Sequence, residues 1–296
     1  MIISGILFSI IGSMLLLKVY NKKILGFKDL VNRLFGNKFS IIIELIISIA
    51  LYSGFSIMVA GSGVIFKEQL GIPYNIGVIF MLICCFIVFL FSLEGLSVIN
   101  SILVPLLIIG IVFTALYLSR MGGYKLTNMQ GLQYTIKGNF ITSSLLYFGS
   151  NALIIIVVFS TLLPIIDNKR TAIYGGVFGG LILSILGMAI LTSMFIYYKE
   201  VYTLEIPMLG ISNYISKSYT KLYAIVLWIA MFTTALANGF GFINRFNPEK
   251  KMGLKIGLFC LSSIPLTKFG FANLIGVIYP IFGIVGIAIM IIVLLY

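Results

Sequence analysis

Apolar residues dominate this chain in nine long runs, separated by shorter segments where the polar and basic residues collect. By the rule of roughly 20 residues per bilayer crossing, the runs predict helices at 2–20, 40–66, 75–92, 98–118, 139–166, 172–197, 220–243, 252–268 and 271–296. None alternates with the period of two over about ten residues that a membrane barrel strand would show. The pattern predicts an all-α polytopic membrane protein of about nine transmembrane helices.

Within that pattern one frame occurs twice. Gly5, Ser9, Ile10, Gly12 and Leu16 return 175 residues later as Gly180, Ser184, Ile185, Gly187 and Leu191. Cys85/Cys260, Gly95/Gly270 and Pro105/Pro280 keep the same offset. Internal duplication is a mark of secondary transporters. The copies fall on the first and sixth predicted helices, an odd number of crossings apart, so they face opposite ways across the membrane. Subtracting the offset from the helix at 139–166 places its partner before Met1, so a five-plus-five inverted repeat with its first helix missing is expected. The chain is read as one transmembrane transporter domain over 1–296, with a first-repeat remnant at 1–118 and the second repeat at 139–296.

Composition agrees: 60% of residues are hydrophobic and 9% charged, more apolar surface than a water-soluble core of this length can bury. The net charge of +12 lies between the spans, where the positive-inside rule and anionic lipids account for it without nucleic acid. Sixteen Lys against four Arg suggest an AT-rich bacterial genome, hence a bacterial plasma membrane. Twelve of the twenty cations fall on one side, including Lys18, Lys22, Lys23, Lys28, Arg33 and Lys38 around the first connection. That side is taken as cytoplasmic, which puts Met1 outside and the C-terminus inside. Between Asn21 and Phe39, Ile24, Phe27, Leu30, Val31, Leu34 and Phe35 recur at helical spacing, predicting an amphipathic helix on the cytoplasmic interface. The long outer connection at 198–219 carries Glu205-Ile206-Pro207 and then a short helix expected to pack over an outer vestibule. Cys84, Cys85 and Cys260 read as small packing residues. Histidine is absent, and no phosphate loop, HExxH or cysteine cluster points to an enzyme.

Three stretches hold candidate chemistry. Tyr147-Phe148-Gly149-Ser150-Asn151 interrupts the apolar helix 139–166, and a break there would expose backbone groups to a substrate; close helix packing by small residues is the alternative. Ala230, Thr233 and Thr234 place two hydroxyls one turn from an alanine carbonyl, hard oxygen ligands suited to Na⁺, unless the hydroxyls bond back to their own helix. Tyr52 could bond a substrate, or serve in aromatic packing. Glu44 is an intramembrane carboxylate near a helix end, and Glu94 and Asp167 read as helix-end residues.

The chain resembles the YkvI-like bacterial membrane proteins, within the amino acid–polyamine–organocation superfamily that shares the LeuT fold. The resemblance rests on Gly61-Ser62-Gly63-Val64-Ile65-Phe66-Lys67-Glu68-Gln69-Leu70-Gly71, Val104-Pro105-Leu106-Leu107-Ile108-Ile109, Glu205-Ile206-Pro207-Met208 and Thr233-Thr234-Ala235-Leu236-Ala237-Asn238. It implies that the nine helices correspond to the second through tenth of that fold. It further implies alternating access, a solute site at Tyr147, Gly149, Ser150 and Asn151 faced by Tyr52, and a sodium site at Ala230, Thr233 and Thr234. The expected function is Na⁺-coupled transport of a small organic solute such as an amino acid, with no other cofactor. The alternatives are a non-transporting membrane sensor or scaffold, or an inactive remnant. DNA upstream of Met1, read in frame, is expected to encode roughly 25–35 residues with one glycine-interrupted apolar span; a stop codon directly upstream overturns that expectation.

Overall fold

A computed structural model describes residues 2–90, 105–106, 108–118, 120, 139–160, 162–243 and 252–296, with the side chains of 37, 38, 165 and 252 also left aside. The described residues form helices and no strand. In chain order they are α1 (Ile2–Lys22), α2 (Phe27–Leu70), α3 (Tyr74–Leu90), α4 (Ile108–Leu118), α5 (Phe140–Ser160), α6 (Lys169–Ile196), the short α7 (Tyr198–Val201) and α8 (Pro207–Ser212), α9 (Lys217–Ile243), α10 (Met252–Thr267) and α11 (Phe271–Leu295). Six stretches are long and apolar enough to cross a membrane: α1, Phe39–Leu70 of α2, α5, α6, α9 and α11. Three more apolar helices, Tyr74–Leu90, Ile108–Leu118 and Gly253–Thr267, are shorter. The chain is an all-α, multi-pass membrane protein. The first part of the helix expected over 98–118, with Glu94 and Gly95, lies outside the described residues.

Helix is the dictated conformation here, because lipid supplies no partner for an unpaired N–H or C=O. Apolar side chains accordingly point outward on the spans, with Ile41, Leu45, Ile182, Leu261 and Ile284 all exposed. Contacts inside the chain divide into two compact units, one of Met1–Ile47, Gln133–Met188 and Gly276–Tyr296, the other of Ser48–Leu132 and Ala189–Ile275. The division does not follow the two repeats, since each unit takes helices from both halves.

In the first unit, α1 runs antiparallel to α6 along a seam of small residues. A Cβ on Gly5 would collide with Ser184, one on Gly180 with Ser9, and one on Gly176 with the backbone of Ser13. Ser13 Oγ donates to the Ile173 carbonyl at 3.0 Å and Ser9 Oγ to the Val177 carbonyl at 3.3 Å. These are the repeated residues themselves: Gly5 meets the copy of Ser9, and Ser9 meets the copy of Gly5. The seam follows the small-xxx-small spacing that lets membrane helices approach closely. Its third step is Ser13 against Gly176, while Gly12, where the frame read from the sequence continued, meets both Phe159 and Gly176. Helix α5 lies parallel to α1, with Ser4 Oγ donating to the Ser144 carbonyl and Phe8 against Tyr147 and Phe148. On its other side α5 meets α11, where Gly149, Gly283 and Gly286 bring the backbones together.

The segment after α1 departs from expectation. Helix α1 runs to Lys22, the chain turns, and α2 begins at Phe27 with a kink at Gly36 (φ 67°) before the span. Ile24, Phe27, Leu30 and Val31 are buried in the protein, so these apolar residues of the amphipathic segment pack on its own chain. Asp29 fastens the turn, accepting from Leu25 N–H at 3.0 Å and Arg33 Nε at 2.6 Å. The Leu25 N–H, followed by Arg33, holds the Asp29 carboxyl below its ordinary range.

In the second unit α2 is antiparallel to α9, with Leu51 at Gly241, Gly54 at Asn238 and Gly61 at Met231. Helix α3 is antiparallel to α10, with Phe86 at Gly257 and Leu90 at Gly253. The core between them is aromatic: Phe55 and Phe259 have ring centroids 4.6 Å apart, and Phe89 packs on both. Adding 175 to the bounds of α1, of the span of α2 and of α3 gives 177–197, 214–245 and 249–265, which fall on α6, α9 and α10. Each of α1, α2 and α3 therefore packs antiparallel on the helix one 175-residue offset away. Helix α8 buries Leu209 and Ile211 in this core.

Gly176→Leu and Gly180→Leu are expected to lower stability by ~1–3 kcal/mol or more through overpacking, read as thermal unfolding in detergent. Gly179→Leu, one position off the seam with open space at its Cβ, is the matched control and is expected to change little.

Candidate functional site

The residues singled out from the sequence fall on three helices in two groups. Tyr147, Gly149, Ser150 and Asn151 sit on α5 in the first unit; Tyr52 on α2 and Ala230, Thr233 and Thr234 on α9 belong to the second.

The expected break at Tyr147–Asn151 is not there. Helix α5 is continuous from Phe140 to Ser160, and the chain leaves it only before a single 3-10 turn at Leu163–Ile165, where Pro164 cannot donate. The polar residues explain the continuity. Ser150 Oγ donates to the Tyr147 carbonyl at 3.0 Å and Asn151 Nδ2 to the same carbonyl at 2.8 Å, so both side chains close on their own helix. Gly149 has a structural task, because a Cβ there would strike the Gly283 carbonyl of α11. Among these residues the Tyr147 ring, packed edge-on against Phe8, carries a hydroxyl outward from the helix.

On α9 the geometry is tighter. Thr233 Oγ1 lies 3.1 Å and Thr234 Oγ1 2.8 Å from the Ala230 carbonyl oxygen. Three uncharged hard oxygens thus gather within one helical turn, one threonine buried and the other exposed. Both hydroxyls donate to the carbonyl and keep their lone pairs, so the cluster can satisfy itself or offer its oxygens to a cation. Beside them Asn238 is buried against Gly54 of α2.

Tyr52 is held by α10. Its hydroxyl donates to the Ser262 carbonyl at 2.6 Å and lies 3.0 Å from Ser262 Oγ, while its ring packs on Phe242 and Phe259. Pro265, inside α10, removes the N–H that would bond the Leu261 carbonyl, so Tyr52 bonds the helix one residue from its weakened point.

Two polar connections of the second unit were not singled out from the sequence. Trp228 Nε1 donates to Ser62 Oγ at 2.6 Å and Ser62 Oγ to the Gly77 carbonyl at 2.8 Å, joining α9, α2 and α3 through one buried hydroxyl. The signal was available, because the chain's one tryptophan sits in a span and its N–H requires an acceptor. Glu205, just before α8, accepts from Ala272 N–H at the start of α11 at 3.1 Å and donates its own N–H to Glu68 Oε1 at 3.4 Å. A carboxylate at a helix N-terminus is favourable, but a partner 67 residues away leaves no local trace.

The chain is similar to an uncharacterized membrane protein, YkvI of Bacillus subtilis (strain 168), with 25% identity over 293 residues, 97% of this chain and 82% of the relative. It is also similar to the uncharacterized protein YyaD of the same organism, with 24% identity over 272 residues, 91% of this chain and 79% of that one. No family model and no solved structure matches it. These similarities support a YkvI-like family of membrane proteins and assign no activity.

Tyr52→Phe is expected to cost ~1 kcal/mol of unfolding free energy, the worth of one hydrogen bond, measured by thermal or denaturant unfolding in detergent. Unchanged stability would mean that the hydroxyl does not help to hold α2 against α10.

Proposed function

We propose that this protein is a secondary transporter of a small organic solute, working by alternating access and coupled to Na⁺. The observation that carries the reading is the packing of α1, α2 and α3 antiparallel on α6, α9 and α10, the elements one 175-residue offset away. Antiparallel copies are the expectation for an inverted repeat, an architecture used by many transporters to expose one site to each side in turn. The helix directions fit nine alternating crossings of the LeuT type. The gathering of elements from both halves into two units fits two bodies that each draw on both repeats.

In this reading Ala230, Thr233 and Thr234 give a coupling Na⁺ its α9 ligands. The Tyr147–Asn151 face of α5 meets the solute, with the Tyr147 hydroxyl as its outward polar group. Amino acids are the first solute class to test. The bacterial plasma membrane and a cytoplasmic C-terminus belong to the same proposal, from the bias of basic residues around the α1–α2 turn. A second reading, a non-transporting sensor or scaffold, draws on the unbroken α5 and its self-satisfied side chains.

Uptake of radiolabelled amino acids into vesicles containing the protein tests both. A transporter of this kind accumulates solute when an inward Na⁺ gradient is imposed, and Thr233→Ala is expected to weaken Na⁺ dependence at least tenfold, a loss of about 1.4 kcal/mol. Uptake indifferent to Na⁺ and to Thr233→Ala removes the coupling. Solute binding without flux favours the sensor or scaffold.

A further inference from the structure

The turn between α1 and α2 has a backbone feature that its sequence does not favour. Lys23 has φ of 51°, the sole positive-φ residue other than glycine among the described residues. It closes α1: Lys23 N–H bonds the Tyr20 carbonyl at 3.4 Å and Ile24 N–H reaches back to the Val19 carbonyl at 3.1 Å. With Val19 and Ile24 both fully buried, this is the Schellman end of a helix, in which the left-handed position is ordinarily glycine. A lysine there costs backbone energy that a glycine would not, and strain of this kind gathers where a residue has a task.

The neighbouring side chains narrow that use. Lys18 Nζ donates to the Val293 and Leu294 carbonyls at 2.8 and 2.7 Å, and Lys22 Nζ donates to the Tyr296 carbonyl at 2.7 Å and lies 3.4 Å from that ring's centroid. These two lysines close the C-terminal end of α11. Arg33 is engaged by Asp29 and by the Lys22 carbonyl at 2.9 Å. Lys23 and Lys28 are exposed, and between them Leu25 is 79% exposed although Ile24 and Phe27 beside it are buried. Asp29, bound to Leu25 N–H, fixes the tip that presents this leucine. The turn also lies outside the spans, between the end of one at Lys22 and the start of the next at Phe39, and a connection between spans is where a membrane protein meets the charged lipid surface.

We propose that the α1–α2 turn is a docking site for an anionic phospholipid, with Lys23 and Lys28 meeting the headgroup phosphate and Leu25 entering the acyl boundary. Two cations flanking one exposed apolar side chain match a lipid with its phosphate above its chains. A water-borne anion would have no use for the leucine. The strained lysine supplies the charge at the one position where a glycine would have removed it.

The test uses the full chain in nanodiscs of phosphatidylcholine, with and without phosphatidylglycerol, reading the unfolding midpoint and the phosphatidylglycerol retained through native mass spectrometry. Lys23→Gly is the informative variant, because the backbone and the ligand pull it in opposite directions. In phosphatidylcholine its midpoint is expected to hold or rise by ~2 °C as the strain is relieved. Its affinity for phosphatidylglycerol is expected to fall about fivefold, with a similar further fall for Lys28→Gln, and Leu25→Ser is expected to weaken retention as well. Retention unchanged in the Lys23→Gly, Lys28→Gln pair overturns the proposal. So does an equal loss in Lys199→Gln, which would make the attraction diffuse, or equal protection by glycerol phosphate in detergent, which would make the ligand a soluble anion.

Discussion

The close approach of α1 and α6 is the contact on which the first unit depends. In lipid there is no hydrophobic force to drive one apolar helix onto another, so association rests on packing and a few interhelical hydrogen bonds. Gly5, Ser9 and Ser13 against Ser184, Gly180 and Gly176 provide both, because removing side chains from the seam brings carbonyls within reach of serine hydroxyls. Any larger residue would separate the helices and break those bonds together. The antiparallel direction of the pair is fixed by the same register.

The second unit solves the same problem differently. Its helices are held by large aromatic rings, Phe55, Phe89 and Phe259, and by isolated polar bridges: Tyr52 to Ser262, Trp228 to Ser62, Tyr74 to the Thr267 carbonyl. Some glycines here admit rings, as Gly239 admits Phe89 and Gly63 admits Tyr74. A seam of small residues in the first unit and a ring-filled core in the second give the two units distinct packing.

Away from the α1–α6 seam, several polar residues inside the spans close on their own helix. Ser150, Asn151, Thr233 and Thr234 all bond carbonyls three or four residues back. On α5 this lets a helix rich in small and polar residues remain unbroken. On α9 the same habit collects three oxygens at one place.

Much of this was legible along the chain, for a physical reason. Helix is the conformation lipid permits, so run length locates six spans and three shorter apolar helices among the described residues, and the 175-residue offset pairs α1, α2 and α3 with α6, α9 and α10. The seam's first two steps were written in the repeat, because small residues at four-residue spacing have few other uses. What the linear pattern could not carry was direction around each helix axis. Whether Ser150 turns outward or back to the Tyr147 carbonyl is a choice of rotamer, and how closely Gly12 and Ser13 approach Gly176, or what the face of Ile24, Phe27 and Leu30 covers, is a matter of helix rotation. The packed structure decides the helix rotations, because the partners can be 160 residues distant in the chain. The membrane, read from composition, accounts for the helices; the contacts between them account for what each polar side chain is able to do.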